Sequence, residues 1–283
     1  MLAFFLTLTA CDKDPVDSGV TTQDLTLEFA ATVGGEPVSC ATAYSVGSGE
    51  ATAQLADARF FISGVELQNA DGEWVAMDLE QDGKWQVHDI ALMDFEDGSG
   101  ACADSGNADL NSQIVGSIAE GDYSGLRFVV GVPFEHNHLD NATADAPLNS
   151  PGMFWSWQGG YKFVRVDWSV QGETVLRSNM HVGSTGCTSD AATSPPTEEC
   201  SNPNRATVEL SGFDPETQVV SVDLAELVAD LDLGADTADT PPGCMSAPSE
   251  PDDCGPIWES LGMDFSTGLC VSDCGAQSVF GAE

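Results

Sequence analysis

The chain has 283 residues, of which 42% are hydrophobic, so it is long enough to bury one sizeable core with an appendage. It carries only 8 Lys and Arg against 46 Asp and Glu, which gives a formal net charge of −38 at pH 7. Such a charge repels phosphate backbones and anionic lipid headgroups, and it excludes nucleic acid as a partner. By itself the acidity indicates a solvated, self-repelling surface rather than a cation site.

The N-terminal segment has the pattern of a targeting signal. Residues 2–10 form an apolar run about half as long as a membrane-spanning helix, which predicts a signal peptide over residues 1–10. The letters LTAC resemble a bacterial lipobox, which makes Cys11 the expected lipidation site and the lipid the only membrane attachment. No Lys or Arg precedes the run, so either the protein starts upstream or the signal is atypical. Residues 11–23 contain Asp, Ser and Pro with little to bury, which predicts a tether.

Residues 24–233 are predicted to form the main domain, and strand signals dominate them. Runs of β-branched and aromatic residues, many alternating with polar ones, are separated by Gly, Asn, Asp or Pro. The predicted strands are 25–33, 58–67, 84–95, 125–132, 161–170, 174–182, 206–210 and 217–224. This pattern predicts an all-β fold, an antiparallel β-sandwich or barrel, with a hairpin around Gly172.

Two segments of the main domain predict short helices instead. Apolar residues recur at helical spacing in residues 108–121 and in residues 223–231. Beyond them, residues 234–283 form a predicted Cys-rich C-terminal extension that packs on the core and begins with a linker.

The cysteines indicate an oxidising compartment. The chain has nine, and setting aside Cys11 leaves eight, which suits four disulfides. Their spacing favours Cys187 with Cys200 and local pairing within the extension, but it does not select a complete map. A zinc site is the alternative, and the C-x3-C spacing of CVSDC suits it poorly. The expected disulfide cysteines are Cys40, Cys102, Cys187, Cys200, Cys244, Cys254, Cys270 and Cys274.

Four histidines are the candidate metal ligands: His88, His136, His138 and His181. His136 and His138 are separated by one residue, so in an extended chain they would point to the same side. Imidazoles on a rigid β scaffold, without an acidic cluster in the same motifs, favour copper or zinc over calcium or magnesium. A lone histidine in a strand is nevertheless more often a hydrogen-bonded partner of backbone carbonyls than a ligand.

The segment MFWSWQGGYKF, residues 153–163, places Trp155 and Trp157 two positions apart before a Gly-Gly turn. Core packing is the ordinary role of such aromatic residues. Together with GVPFEHNH before it and HVGSTGC after it, however, the segment closely resembles the copper-binding MbnP-like proteins, the four-cysteine partner of the "metallo-mystery pair". ARFFISGVEL and LMDFEDGSGAC also match, so the resemblance spans roughly residues 25–283.

The resemblance implies an exported protein of copper homeostasis that binds one copper ion, expected as Cu(I). In that family a MauG-like dihaem cytochrome c peroxidase oxidises the first tryptophan of the WxW motif to kynurenine. The resemblance implies that Trp155 is the corresponding residue here. An indole has no in-plane lone pair for a metal, whereas kynurenine presents an aromatic amine and a ketone. Trp157 would support the site by packing against it or by relaying the oxidising equivalent.

The resemblance also implies the ligand set. His138 and His181 stand in the family-like contexts NHLD and HVGSTGC and are the expected ligands beside modified Trp155, while His136 and His88 are weaker candidates. Two imidazoles and one aniline nitrogen suit Cu(I). The neighbouring Met153 and Met180 are weaker soft donors. The family's four structural cysteines would be Cys40, Cys102, Cys187 and Cys200.

Two other functions remain open. An acidic surface lipoprotein could stack its tryptophans on carbohydrate or hold calcium in Asp-rich loops. A copper redox enzyme is the other, but the chain has no HExxH or GxSxG motif, and its mature N-terminus is not histidine as copper polysaccharide oxygenases need. We therefore expect copper binding or storage rather than catalysis, in the periplasm or at the outer-membrane surface.

Overall fold

The computed structural model of the protein describes residues 21–104, 107–172, 176–191 and 193–283. The predicted signal peptide, the lipidation site and most of the tether therefore lie outside the described residues. The first strand begins at Thr22, two residues before the predicted start of the main domain. Within the described ranges, no helix reaches the length and apolar character needed to cross a membrane.

In the described ranges, the regular structure consists of twenty strands and two α-helices. The strands are β1 Thr22–Val33, β2 Glu36–Pro37, β3 Ala43–Val46, β4 Ala51–Asn69, β5 Trp74–Ala76, β6 Asp78–Leu79, β7 Gln86–Val87, β8 Ile90–Asp94, β9 Gln113–Ala119, β10 Tyr123–Val130, β11 Phe154–Ser156, β12 Gly160–Tyr161, β13 Val164–Val170, β14 Leu176–Val182, β15 Ala206–Ser211, β16 Val220–Asp223, β17 Gly243–Cys244, β18 Met263–Asp264, β19 Leu269–Cys270 and β20 Phe280–Ala282. The helices are α1 Phe134–Asn137 and α2 Pro251–Ser260, with short 3-10 turns at Gly100–Cys102, Pro151–Met153, Glu226–Val228 and Ser272–Cys274.

The larger sheet is built around β4 and has the order β15-β10-β4-β13-β14-β17. Strand β4 also pairs with β3, β5 and β8, because its 19 residues are long enough to serve different neighbours at its two ends. The predicted hairpin is confirmed: β13 pairs with β14 in antiparallel register, with Arg165 opposite His181. This hairpin carries one of the expected copper ligands.

The smaller sheet has the order β20-β16-β1-β9-β6. Both sheets are mixed rather than purely antiparallel, because β1 runs parallel to β16 and β14 runs parallel to β17. Parallel neighbours need long connections, and here a strand from late in the chain supplies each second partner. The all-β class is confirmed, with this correction to the strand directions.

The two sheets enclose one core. Phe29 of the smaller sheet contacts Phe128 of the larger one at a ring-centroid distance of 6.0 Å. Phe280, near the C-terminus, packs edge-on against both Phe128 and Phe60, at 5.4 and 5.8 Å. Trp258 of α2 is fully buried in the same core. The Cys-rich extension is therefore part of the core and not a separate lobe.

Both helix predictions were wrong. Residues 108–121 contain strand β9, which pairs with β1, and residues 223–231 contain the end of β16 followed by a 3-10 turn. Ile114 and Ile118 lie four positions apart, a spacing compatible with either a helix or a strand. Pairing with β1 decides for the strand, and Gly116 between them weakens a helix. The helices lie elsewhere, at α1 and α2.

Four disulfides connect the eight remaining cysteines. The bonds are Cys40–Cys102, Cys187–Cys200, Cys244–Cys254 and Cys270–Cys274. The second is the pairing that spacing favoured, and the last two are the local pairs expected within the extension.

Candidate metal centre

His181, in strand β14, has one ring nitrogen that forms a hydrogen bond and one that has no partner in the described structure. Its Nε2 lies 2.8 Å from Oδ1 of Asp167 on the neighbouring strand β13. A carboxylate can only accept a hydrogen bond, so Nε2 carries the proton and Nδ1 keeps its lone pair. Within the described residues, Nδ1 is buried and has no hydrogen-bond partner. A buried lone pair without a partner is rare and suits a metal ion.

The protonation states of this pair fit a metal ligand. Burial lowers the pKa of His181, and the Asp167 carboxylate offsets only part of that effect. For Asp167, burial acts to raise the pKa, but the hydrogen bond from His181 and the charge of Arg165 outweigh it, so the net shift is downward. At neutral pH the pair is therefore a neutral imidazole beside a carboxylate.

A row of buried charges holds Asp167 in place. Arg165 donates from Nε to Oδ2 of Asp167 at 3.0 Å and lies 3.1 Å from the fully buried carboxylate of Asp57. Asp57 in turn accepts a bond from Nε of Arg59 at 2.8 Å. Because each charge has an opposite neighbour, the row is compensated within the core. The orientation of His181 is thus set by contacts that extend through β13 into β4.

Trp155 lies beside His181. Its ring centroid is 6.4 Å from that of His181, with the planes tilted by 51°. The space for the indole exists because residue 183 is glycine: a Cβ there would overlap the Trp155 ring and lie 2.6 Å from the carbonyl oxygen of Tyr161. The half-buried Trp155 also lines an open pocket of about 410 Å³, together with Cys187. The indole therefore faces both the histidine and the exterior.

His138 follows helix α1 and is bonded through both ring nitrogens. Its Nδ1 lies 3.0 Å from the carbonyl oxygen of Trp157, so Nδ1 is the protonated nitrogen. Its Nε2, which keeps the lone pair, lies 3.2 Å from Nδ2 of Asn137 and 3.6 Å from Sγ of Cys200. Burial lowers the pKa of His138, although the Trp157 carbonyl acts in the opposite direction, so this imidazole is also neutral.

Asn137 connects the two histidine segments, and sequence reasoning missed it. Its side chain accepts a bond from the Tyr161 backbone at 2.8 Å and donates to Oγ of Ser184, three residues after His181, at 3.3 Å. The second glycine of the Gly-Gly turn, Gly160, has φ +73°, and a Cβ on it would overlap the Asn137 side chain. The available signal was the position of Asn137 between two histidines in HNH.

Trp157 does not continue the strand that carries Trp155. Strand β11 ends at Ser156, and residues 157–159 form a turn into β12. In a regular strand Trp155 and Trp157 would share one face, but here the strand ends between them, because the Gly-Gly sequence turns the chain at this point. The contact of Trp157 with the site is through its backbone carbonyl, which orients His138.

His136 and His88 form a separate pair. Their rings stack at a centroid distance of 4.3 Å with planes 14° apart. His136 lies within helix α1 rather than in an extended chain, so it does not point with His138 as expected. His88 has φ +56°, and the Gln81 amide holds its backbone by bonding both its N–H and its C=O. The structure thus places these weaker candidates with each other.

The remaining soft donors are occupied or buried. The described part of the chain contains two groups of three potential metal donors, and within each group the donor atoms lie within 4.8 Å of one another. The groups are His138 with Cys187 and Cys200, and Glu250 with Cys244 and Cys254. In both groups the two cysteines form a disulfide. Met153 and Met180 are fully buried in the hydrophobic clusters. Met245, in the C-terminal extension, was not considered from the sequence and lines the same pocket as Trp155.

Comparisons with known proteins show the family and support the fold of the chain. The family model described as MbnP matches residues 22–246. The solved structure of MbnP from Methylosinus trichosporium is similar with a TM-score of 0.83 and 32% sequence identity, over 93% of this chain and 99% of that chain. None of the curated proteins searched matches the chain.

Proposed function

The chain belongs to the MbnP family, and from that premise we propose that it is an exported copper-binding protein. In this proposal His138, His181 and Trp155 bind one ion, expected as Cu(I), after Trp155 has been oxidised to kynurenine. The enzyme that catalyses this oxidation is a MauG-like dihaem cytochrome c peroxidase. The role is in copper homeostasis, as binding rather than catalysis, with the protein held in the periplasm or at the cell surface through Cys11.

One observation carries the proposal: the buried Nδ1 of His181 has no partner among the described residues and lies in the ring that faces Trp155. A buried nitrogen lone pair left unpaired costs free energy unless a ligand uses it. Asp167 holds the opposite nitrogen, as a carboxylate commonly does behind a metal-bound imidazole. The residues present therefore fit a metal ion.

The chemistry of the donors favours Cu(I). His138 and His181 have lowered pKa values and are neutral near pH 7, so no proton has to be displaced from either. The nearby cysteine sulfurs are held in disulfides and supply no thiolate. A small set of neutral nitrogen donors suits a soft monovalent ion.

Modification of Trp155 supplies the donor that the unmodified chain lacks. The indole lies beside His181 but offers no in-plane lone pair, while kynurenine at the same position would present an aromatic amine. The pocket beside Trp155 is open to the exterior, which is consistent with oxidation by another protein. Trp157 would hold His138 through its carbonyl, and a role as electron relay remains part of the proposal.

The test is expression of the exported chain with and without the peroxidase. With the partner, mass spectrometry should find the kynurenine mass shift on the Trp155 peptide, and the purified protein should hold one copper ion. Without it, Trp155 should be intact and copper weakly bound. Trp155→Phe should behave like the unmodified protein, while Trp74→Phe, which removes a ring stacked on Arg127, should bind normally. Full copper occupancy beside an intact Trp155 would refute the proposal.

The genomic neighbourhood offers an independent check. If the proposal holds, an adjacent reading frame should encode a protein with two CxxCH haem-attachment motifs.

A further inference from the structure

The disulfide Cys187–Cys200 lies between the Trp155 pocket and His138. Cys187 lines the pocket and is half-buried, while Sγ of the buried Cys200 is 3.6 Å from Nε2 of His138. One donor atom from each of the three residues lies within 4.8 Å of the other two. Two sulfurs and one imidazole nitrogen are thus already grouped, and the S–S bond alone keeps the sulfurs from acting as thiolates.

We propose that this disulfide masks a second metal site, made of the Cys187 and Cys200 thiolates and Nε2 of His138, that takes a soft ion such as Cu(I). The site needs no change at Trp155. Two thiolates and an imidazole are a donor set that selects Cu(I) or zinc. It goes beyond the kynurenine site, with which it shares His138.

The exposing step is an ordinary thiol–disulfide exchange. One thiolate of a dithiol reductant attacks Sγ of the half-buried Cys187, breaks the S–S bond and releases Cys200 as a thiolate. The second thiol of the reductant then attacks the resulting mixed disulfide, which releases Cys187 and leaves the reductant as a cyclic disulfide. The protein gains two electrons and two protons as two thiols, and the reductant loses the same. Binding of the metal then displaces the thiol protons, while neutral His138 gives up none.

The other disulfides do not offer the same site. Cys40, Cys102, Cys244 and Cys254 are all buried, which denies a reductant access. The Cys244–Cys254 pair has Glu250 as its third donor, a hard oxygen ligand. Within the described residues, the Cys270–Cys274 pair has no His, Asp or Glu within the same reach. The Cys187–Cys200 pair alone among the four combines access with an imidazole.

The proposal gives a reason for the tryptophan chemistry. In an oxidising compartment Cys187 and Cys200 form a disulfide, so neither sulfur beside His138 is available as a thiolate ligand. A new donor must then come from Trp155. Under reducing conditions the thiolates take over His138. The redox state of this disulfide therefore determines which residues bind a metal ion together with His138.

The test uses the full chain produced without the peroxidase, so that Trp155 is unmodified. The protein is treated anaerobically with a limiting dithiol, and alkylation with mass spectrometry maps which cysteines are reduced. It is then titrated with Cu(I) against a chromophoric chelator and, separately, with Co(II), whose thiolate charge-transfer absorption reports sulfur ligation. Circular dichroism records whether the strands persist.

We expect reduction to add one Cu(I) site and a Co(II)–thiolate band that the oxidised protein lacks. The double variant Cys187→Ser/Cys200→Ser should gain neither, and the matched control Cys270→Ser/Cys274→Ser should behave like wild type. His138→Ala should weaken the new site by about 10- to 100-fold, the range that loss of a ligand-supporting group alone already costs.

Two results would overturn the inference. One is equal metal binding by the double serine variant and by protein whose map shows Cys187 and Cys200 reduced. The other is binding that persists after the β-sheet spectrum is lost, since it would not need the folded geometry. Because Trp155 is unmodified throughout, neither result bears on the kynurenine site.

Discussion

Asp167 determines which nitrogen of His181 is available to a metal. The carboxylate accepts the hydrogen of Nε2 at 2.8 Å, and the lone pair of Nδ1 is left in a buried position without a partner in the described structure. The two residues lie on adjacent strands of one hairpin, so their contact is maintained by the sheet itself. This relationship fixes the orientation of the histidine that we propose as a copper ligand.

Replacing Asp167 by asparagine should loosen that control. The amide has nearly the same size, but it can donate as well as accept, so it no longer selects one tautomer. We expect the Cu(I) affinity of the peroxidase-modified protein to fall by about 10- to 100-fold in competition titrations. Asp109→Asn, which breaks an exposed pair with Lys84, is the control and should leave the affinity unchanged. Equal affinities in both variants would remove Asp167 from the site.

The histidines should separate into two classes. His138→Ala and His181→Ala should each abolish tight copper binding, because each removes an expected ligand. His88→Ala and His136→Ala should leave binding intact, since these rings stack on each other. Copper analysis of the modified proteins measures the difference. Loss of the metal in His88→Ala would show that the ligand assignment is wrong.

Gly183→Ala should displace Trp155. The added methyl group would overlap the indole and the nearby Tyr161 carbonyl. Such overpacking costs about 1–3 kcal/mol of the free energy of unfolding, and we expect less conversion of Trp155 on coexpression, measured by mass spectrometry. Gly255→Ala lies in α2 with no atom within 4 Å of the new Cβ, so it should be neutral or stabilising. Normal stability and conversion in Gly183→Ala would contradict the packing argument.

Ser246→Ala should uncouple the C-terminal extension from the site. The buried Oγ of Ser246 donates to the His181 carbonyl at 2.7 Å and accepts from the Gly183 backbone at 3.1 Å. Leaving these groups unpaired costs about 1–3 kcal/mol, and copper affinity should fall because the His181 backbone is released. The exposed Ser45→Ala serves as control. Unfolding in urea and copper titration report the two effects, and a variant that matched Ser45→Ala in both would argue against the coupling.

Asp94 should make the fold less stable as the pH rises. Burial raises the pKa of its carboxyl from 3.8 to about 7, although the charge of Arg59 opposes the shift. The folded state keeps a proton that the unfolded chain has released, so the stabilisation present below pH 3.8 is lost as the pH rises through about 7.

Asp94→Asn imitates the protonated carboxyl and provides the test. Its stability advantage over wild type should be larger near pH 8 than near pH 5, by on the order of 1–3 kcal/mol, since one pKa unit corresponds to about 1.4 kcal/mol. The exposed Asp71→Asn should show no such dependence. Urea unfolding at both pH values decides, and an unchanged difference between them would exclude Asp94 as the source.

Local patterns in the sequence determined the fold class and the identity of the candidate donors. Alternating apolar residues specify strands because side chains in a strand point alternately to two faces. The even number of cysteines indicated disulfides, and the WxW motif with its flanking histidines indicated the family. These features depend on neighbouring residues, so they can be read without knowing the fold.

The tertiary structure decided the rest, because it depends on contacts between distant residues. The spacing of apolar residues in 108–121 is compatible with a helix, but this segment forms strand β9 because it pairs with β1. No pattern in the chain could place Cys200 beside His138, 62 residues away, or leave Nδ1 of His181 free by engaging Nε2 with Asp167. A ligand's free lone pair is what remains after every neighbour has made its bonds, and only the packed fold determines those neighbours.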